Sequence, residues 1–512
     1  MSFESILFES PQELTDVGTV EPPPFFQDLN LDQVVKRVTT GQEEYDLAPF
    51  YYSSLRDAAA ITYRQEITRD LENSAVMEAI NLFSKQMRGM RAAIAQSQQL
   101  HYYKHAMQRR FLGAVGIYSE AICCLRHELN ALGVKSRGLC AFRDHLDEYT
   151  TSVSFRDRAS EAQTLLRDLS ELRYAVLIKD GSVTVRNHEG ETDYSIAIEG
   201  TFEKFRRDSK NEHGVELPRW DGMNHIEAQI QDRVALLNPE TFRRLEEFYN
   251  TQQDFVDKKI ACFDREVQFY VAYLAFVNKL RSAGLSFCEA QVSPASKEVA
   301  GRHCFDVALA AKLLDERQKV VCNDFFLRDP EHILVVSGPN QGGKTTFARM
   351  FGQIHYLASL GCLVPGTEVR AFLFDRLFTH FERQEQAANL RGKLQDDLLR
   401  IHAIFGQATS NSILIMNEIF SSTTVKDALY LSKKVLERIS DRNLIAVCVT
   451  FLDELASLNQ KTVSVVSVVD PANPAVRTYK LRRQPANGLA YALAIAEKYH
   501  VTYNFLRERI KP

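Results

Sequence analysis

Apolar positions along most of this chain recur at helical spacing. Between residues 46 and 300 glycine and proline are sparse, and the pattern predicts long helices over Leu55–Ile94, Tyr103–Leu132 and Phe255–Leu280. The last carries Phe255, Ile260, Phe263, Val267, Tyr270, Val271, Leu274 and Val277 on one broad stripe, the mark of a core face or a partner-helix seam. One stretch reads as extended chain instead. Tyr174–Lys179, the dipeptide Asp180-Gly181 and Ser182–Arg186 predict a tight hairpin, with Tyr194–Ile198 as a third strand. From residue 301 the pattern changes. Short apolar runs at Ile333–Val336, Ile413–Met416 and Leu444–Val449 alternate with helical segments, which predicts a parallel sheet flanked by helices.

The expected fold class is therefore a mainly α region with a small β insertion, followed by a C-terminal α/β domain. Residues 1–45 read as an acidic N-terminal arm, in which Pro22-Pro23-Pro24 precedes Phe25-Phe26 and the rings supply the docking surface. Residues 46–300 form the helical region, with the hairpin near 174–198, and residues 301–512 the α/β domain.

Composition narrows the classes. With 45% hydrophobic residues over 512 positions the chain can bury a sizeable core, and its net charge of −4 excludes a globally basic coat while leaving room for a local basic face. Nine cysteines include no C-x-x-C pair, so reduced thiols are expected rather than a metal or disulfide framework. No apolar run reaches the ~18 residues of a membrane span, and the acidic N-terminus is unlike a signal peptide. A soluble, cytoplasmic protein without a membrane partner is expected.

The chemistry concentrates at Gly338-Pro339-Asn340-Gln341-Gly342-Gly343-Lys344-Thr345-Thr346, between an apolar strand and an apolar helix over Phe347–Leu360. The pattern G-x-x-x-x-G-K-[ST] turns backbone N–H groups inward around phosphate oxygens, and the helix adds its positive N-terminus. ATP is the expected ligand, with Lys344 on the β/γ-phosphates and Thr345 on Mg²⁺. A second strand, Ile413–Met416, ends in Asn417 and Glu418. Asn417 offers Mg²⁺ an uncharged carbonyl oxygen, and Glu418 is the candidate base for the attacking water.

Together these residues resemble the MutS family of DNA mismatch-repair ATPases. Gly338–Lys344 is similar to its Walker A, and Leu360–Pro365 and Asp375–Thr379 are similar to the segments that follow. Ala408-Thr409, Asn417-Glu418-Ile419, Thr423-Thr424 and Asp427 resemble the Walker B region and the D-loop, and Gly488-Leu489-Ala490 the C-terminal dimerisation segment. The resemblance covers about 320–500. It implies an ABC-type P-loop ATPase that dimerises, helical core, lever and clamp elements over 46–300, and ATP-driven switching on DNA.

Departures from the family bear on the rate. Gly392 and Lys393 stand where the family has its Ser-Thr signature pair, Phe451 stands at the switch histidine, and Asn417 replaces the usual aspartate. Lys393 either substitutes by charge or is a solvated residue. ATP binding with slow hydrolysis is the expectation. The family's N-terminal mismatch-reading wedge is not expected in a chain with about 45 residues ahead of its helices, which leaves DNA shape or junctions as what is read.

A basic stretch, Lys85, Arg88, Arg91, Lys104, Arg109, Arg110, Arg126, Lys135 and Arg137, opposed by Glu120 and Glu128, is the candidate phosphodiester face, with Arg206, Arg207 and Lys210 a weaker second. The expected protein is a homodimeric, ATP-controlled DNA-binding clamp, nucleoid-associated when on DNA. The alternative is a nucleotide-gated protein scaffold with little ATPase activity and no DNA contact. A small-molecule kinase fits poorly, because nothing resembles an acceptor site or lid.

Overall fold

The computed structural model describes residues 3–9, 21–190, 223–382, 392–470, 476–486 and 501–509. The expected strand Tyr194–Ile198, the trio Arg206, Arg207 and Lys210, and Gly488-Leu489-Ala490 lie outside them. The first helices are α1 (Phe25–Asp28), α2 (Leu31–Thr39) and α3 (Ala58–Leu71). They are followed by α4 (Ser74–Gln99), α5 (Lys104–Leu132), α6 (Arg137–Thr151) and α7 (Val153–Glu171), then by strands β1 (Tyr174–Lys179) and β2 (Ser182–Asn187). Helices α8 (His225–Leu237), α9 (Pro239–Thr251) and α10 (Lys258–Ser282) complete the helical stretch.

These residues belong to two compact units. One comprises Met1–Phe3, Asn73–Val134 and Leu139–Asp264, the other Glu4–Glu72, Lys135–Gly138 and Arg265–Pro512. The units interleave along the chain, which composition does not display.

In the first unit α4 and α5 form a long helical pair. Val76, Ile80, Phe83, Met87 and Met90 bury one face of α4 at the spacing the sequence shows. The expected continuous helix over Leu55–Ile94 is instead two helices, because Asn73 accepts a hydrogen bond from the Ala75 N–H and starts α4 afresh. The hairpin pairs Tyr174 with Asn187 through Lys179 with Ser182. Asp180 (φ 51°) and Gly181 (φ 75°) both adopt left-handed backbone, as a two-residue primed turn requires.

The second unit is built on strands β3 (Phe287–Cys288), β4 (Ala290–Ser293), β5 (Val299–Cys304), β6 (Asn323–Leu327), β7 (Ile333–Ser337), β8 (Val364–Pro365), β9 (Glu368–Phe372), β10 (Leu377–His380), β11 (Ile413–Asn417), β12 (Ile445–Val449), β13 (Thr462–Val469) and β14 (Arg477–Arg483). Helices α11 (Val307–Asp315), α12 (Lys344–Ser359), α13 (Lys393–Gln407), α14 (Val425–Asp441) and α15 (Tyr503–Arg509) stand among them. Six strands form a mixed sheet in the order β10-β11-β12-β7-β13-β14, parallel throughout except for the β13–β14 pair. Every residue of β7 and β12 is buried, because helices cover both faces; continuous apolar runs are what such strands need. On one face Val335, Leu414, Met416 and Cys448 pack with Ile401 and Phe405 of α13 and Leu436 and Ile439 of α14. On the other, Ile415 meets α12 at Gly352. A smaller sheet has the order β4-β9-β5-β6. The parallel strands bring the carboxyl ends of β7 and β11 to one edge of the six-stranded sheet, where ligands of such sheets are received.

Candidate functional site

The turn from β7 into α12 is Gly338–Gly343, with Gly338 (φ 117°), Gln341 (φ 60°) and Gly343 (φ 91°) in left-handed backbone. Gly342 has no room for a side chain. A Cβ there would lie 2.3 Å from Ser467 Oγ, whose hydroxyl donates to the Gly342 carbonyl at 2.6 Å. Ser467 is fully buried on β13 and clamps the turn from the neighbouring strand.

Lys344 is buried at the start of α12, and its Nζ donates to the carbonyls of Gly338 (2.9 Å) and Pro339 (3.1 Å) and to Asn340 Oδ1 (3.4 Å). Burial lowers its pKa, against the opposing field of Glu418. Thr345 Oγ1 donates to Asn417 Oδ1 at 2.8 Å, which joins the helix start to the end of β11. Glu418, in left-handed backbone (φ 52°), is held by its N–H donating to the Val449 carbonyl at 2.9 Å.

A cavity of about 530 Å³ opens on this turn, and Asn340–Thr346 and Glu418 line it. Gly338, Pro339 and Asn417 lie beneath as partners of Lys344 and Thr345. Further walls come from residues that sequence patterns do not single out. Leu309 and Leu313 of α11, with Val320 and Val321, give an apolar side, and Asn323 and Tyr479 flank the mouth. Tyr479 (φ 56°) is bent into left-handed backbone, and its carbonyl accepts from Asn323 Nδ2 at 3.1 Å. Arg477 Nε donates to the Asn340 carbonyl at 3.2 Å. Asp306 is the buried N-cap of α11, and burial raises its pKa. These residues are distant in sequence, and only the pairing of β13, β14 and β6 with the turn's surroundings gathers them.

The other singled-out residues have different surroundings. Lys393 pairs with Glu382. Phe451, just beyond β12, is 50% exposed. Thr409 and Ser412 both donate to the Asp375 carboxylate, which ties the start of β11 to the loop before β10. All nine cysteines are free thiols; burial pushes Cys362 and Cys448 up to about 12, which makes them unreactive.

Part of the basic stretch is spent within the protein. Arg91 pairs with Asp264, Lys104 with Glu246 and Arg126 with Asp147, while Arg137 pairs with Glu9 and Glu66. Among the described residues, Lys85, Arg109, Arg110 and Lys135 carry no ion pair. Burial and the adjacent Arg110 lower the Arg109 pKa.

A mixed sheet whose carboxyl edge carries a glycine-rich turn, a buried lysine and a carboxylate defines an α/β protein whose turn has the geometry to receive an anion. Residues 334–507 match the family model for MutS domain V. The chain is 29% identical over 182 residues to the DNA mismatch repair protein MutS of Halalkalibacterium halodurans, covering 35% of this chain and 21% of that protein. It is 30% identical over 187 residues to MutS of Zymomonas mobilis (35% and 22%) and 31% identical over 144 residues to MutS of Rickettsia bellii (28% and 16%). Through this part the chain is similar to the MutS family, and the match spans about a fifth of those relatives' length.

Proposed function

We propose that the cavity binds ATP with Mg²⁺ and that the chain hydrolyses it slowly. The supporting observation is one constellation: a clamped glycine-rich turn, a buried Lys344 on its carbonyls, and Thr345 bonded to Asn417 beside Glu418. The turn's amides and the α12 N-terminus suit a polyphosphate. In the same reading the apolar wall of Leu309, Leu313, Val320 and Val321 takes the base, and Tyr479 covers it.

The residues present fit a magnesium ion that keeps most of its water, since the Thr345 hydroxyl and the Asn417 carbonyl oxygen are adjacent hard donors. Magnesium, when bound, neutralises charge on the phosphates. The protein's own part is to exchange the Lys344 carbonyl contacts for phosphate oxygens and to hold Glu418 where it can take a proton from water. Asn417 brings no charge to the metal, which suits binding more than rapid turnover. The domain from 301 to 512 is then an ABC-type P-loop ATPase working as a homodimer, with 1–45 an arm and 46–300 a core and lever.

Calorimetry with Mg-ATP tests the site: Lys344→Ala is expected to lower affinity at least about tenfold, as loss of a buried charge on phosphate should. Steady-state turnover of wild type and Glu418→Ala tests the base, and equal rates would remove Glu418 from that role.

The similarity to proteins named for DNA mismatch repair supports an ATP-controlled DNA-binding clamp, cytoplasmic and nucleoid-associated when on DNA. The internal pairing of Arg91, Lys104, Arg126 and Arg137 favours the second reading, a nucleotide-gated scaffold that binds protein. Binding of branched, mismatched and linear duplexes with ATP, ADP or no nucleotide separates the two.

A further inference from the structure

Gln353 is fully buried on α12, the helix that the glycine-rich turn opens. Its amide joins three segments. Nε2 donates to the Leu29 carbonyl and to Asp306 Oδ1, each at 2.8 Å, and Oε1 accepts from the Val307 N–H at 2.8 Å. Asp306 and Val307 begin α11, whose Leu309 and Leu313 line the cavity. Leu29 lies between α1 and α2 and is itself fully buried.

The seat for Leu29 is built into α12. A Cβ on Gly352 would come within 2.8 Å of one Leu29 methyl and 2.6 Å of Ile415 Cδ1, so glycine there leaves the space the leucine occupies. Arg349 Nε donates to the Asp28 carbonyl at 2.8 Å, and the Asp28 carboxylate accepts from the Thr379 hydroxyl on β10. At the far end of α11, Arg37 of α2 pairs with Asp315. Segment 25–39 thus pairs directly with the far end of the wall helix, reaches its start through Gln353, and bonds to the phosphate-loop helix through Asp28 and Leu29.

We propose that Gln353 is a positioning residue that makes segment 25–39 a working part of the nucleotide site, so that arm docking and cavity occupancy are linked. The inference rests on the cavity being a nucleotide site. Unseating Leu29 leaves one buried amide hydrogen of Gln353 unpaired, which the molecule relieves only by letting Gln353 and Asp306 move. Asp306 then releases α11, and the wall shifts against the helix that holds the phosphates. Linkage is reciprocal: a nucleotide that needs the wall in place also holds the arm down.

Hydrogen exchange on the full chain, with and without Mg-ATP, reads the arm directly. In wild type the nucleotide is expected to slow exchange at Leu31–Thr39 by about fivefold or more. Gln353→Met, which keeps the volume and removes the bonds, should weaken Mg-ATP binding by about tenfold and abolish that slowing. Should Gln353→Met fail to fold, Thr379→Val loosens Asp28 from outside and should change both readings in the same direction by less. Wild type that binds Mg-ATP with no change in arm exchange overturns the linkage, as does a folded Gln353→Met that binds like wild type. Wild type that binds no nucleotide at all in calorimetry sinks the site reading itself.

Discussion

His355 sits one turn after Phe351 on α12, its Nδ1 against the Phe351 carbonyl at 2.9 Å and its ring against Phe351, with Phe325 next to both. Burial lowers its pKa from 6.5 to about 4. The folded chain therefore refuses a proton that the unfolded chain accepts below pH 6.5, so stability is present above 6.5 and is lost as pH falls towards 4. Between pH 7.5 and pH 5 the loss is expected to be about 2 kcal/mol. Urea midpoints for wild type and His355→Leu check it, and an unchanged slope in the variant would assign the pH response elsewhere. His332 and His105 are shifted the same way by burial, so the variant should flatten the dependence without removing it. At the turn, Gly338 through Thr346 could be singled out in the sequence because the glycine-rich pattern is written in consecutive residues. Ser467, Asn323 and Tyr479 were not, because each acts from another strand and none carries a motif.

At the scale of elements, helix α14 illustrates what local chemistry fixes. Thr424 caps it by accepting from the Asp427 N–H at 3.3 Å, and its hydroxyl donates to the Asp427 carboxylate at 2.8 Å. Thr424→Ala should cost about 1 kcal/mol in urea unfolding, with Thr424→Ser close to wild type. Helix α12 ends differently. Arg64, wholly buried between the Phe8 and Phe269 rings, donates through Nη1 to the Leu360 carbonyl and through Nε to the Leu7 carbonyl, each at 3.0 Å. A cation at that end complements the helix dipole, whose other end faces the cavity. The hairpin, α5 and the apolar strands were readable because period and turn residues agree. The stripe on α10 was readable too: Ile260, Phe263, Val267, Tyr270, Leu274 and Val277 are buried, and Val271 is half-buried. Its reach was underestimated, since Phe269, Tyr273 and Phe276 are buried as well and an amphipathic reading expects an exposed side.

At the scale of the whole molecule, the clamp reading depends on cations that the fold leaves unpaired. Among the described residues, Lys85, Arg109 and Arg110 of the first unit's basic stretch have no acidic partner. If the clamp reading holds, reversing Arg109 and Arg110 to Glu should weaken duplex binding and shallow its salt dependence by roughly two charges; binding flat from low to physiological salt would favour the scaffold reading. No described helix is long and apolar enough to cross a membrane. The sequence alone determined the glycine-rich turn, the strand that ends in Asn417 and Glu418, and the alternation of strands and helices, because each depends on neighbours in the chain. Only the tertiary structure decided which charges are already paired, which residues wall the cavity, and that residues 4–72 fold with 265–512. Those depend on approaches between distant segments, such as Leu29 on Gly352, whose energies no local pattern records.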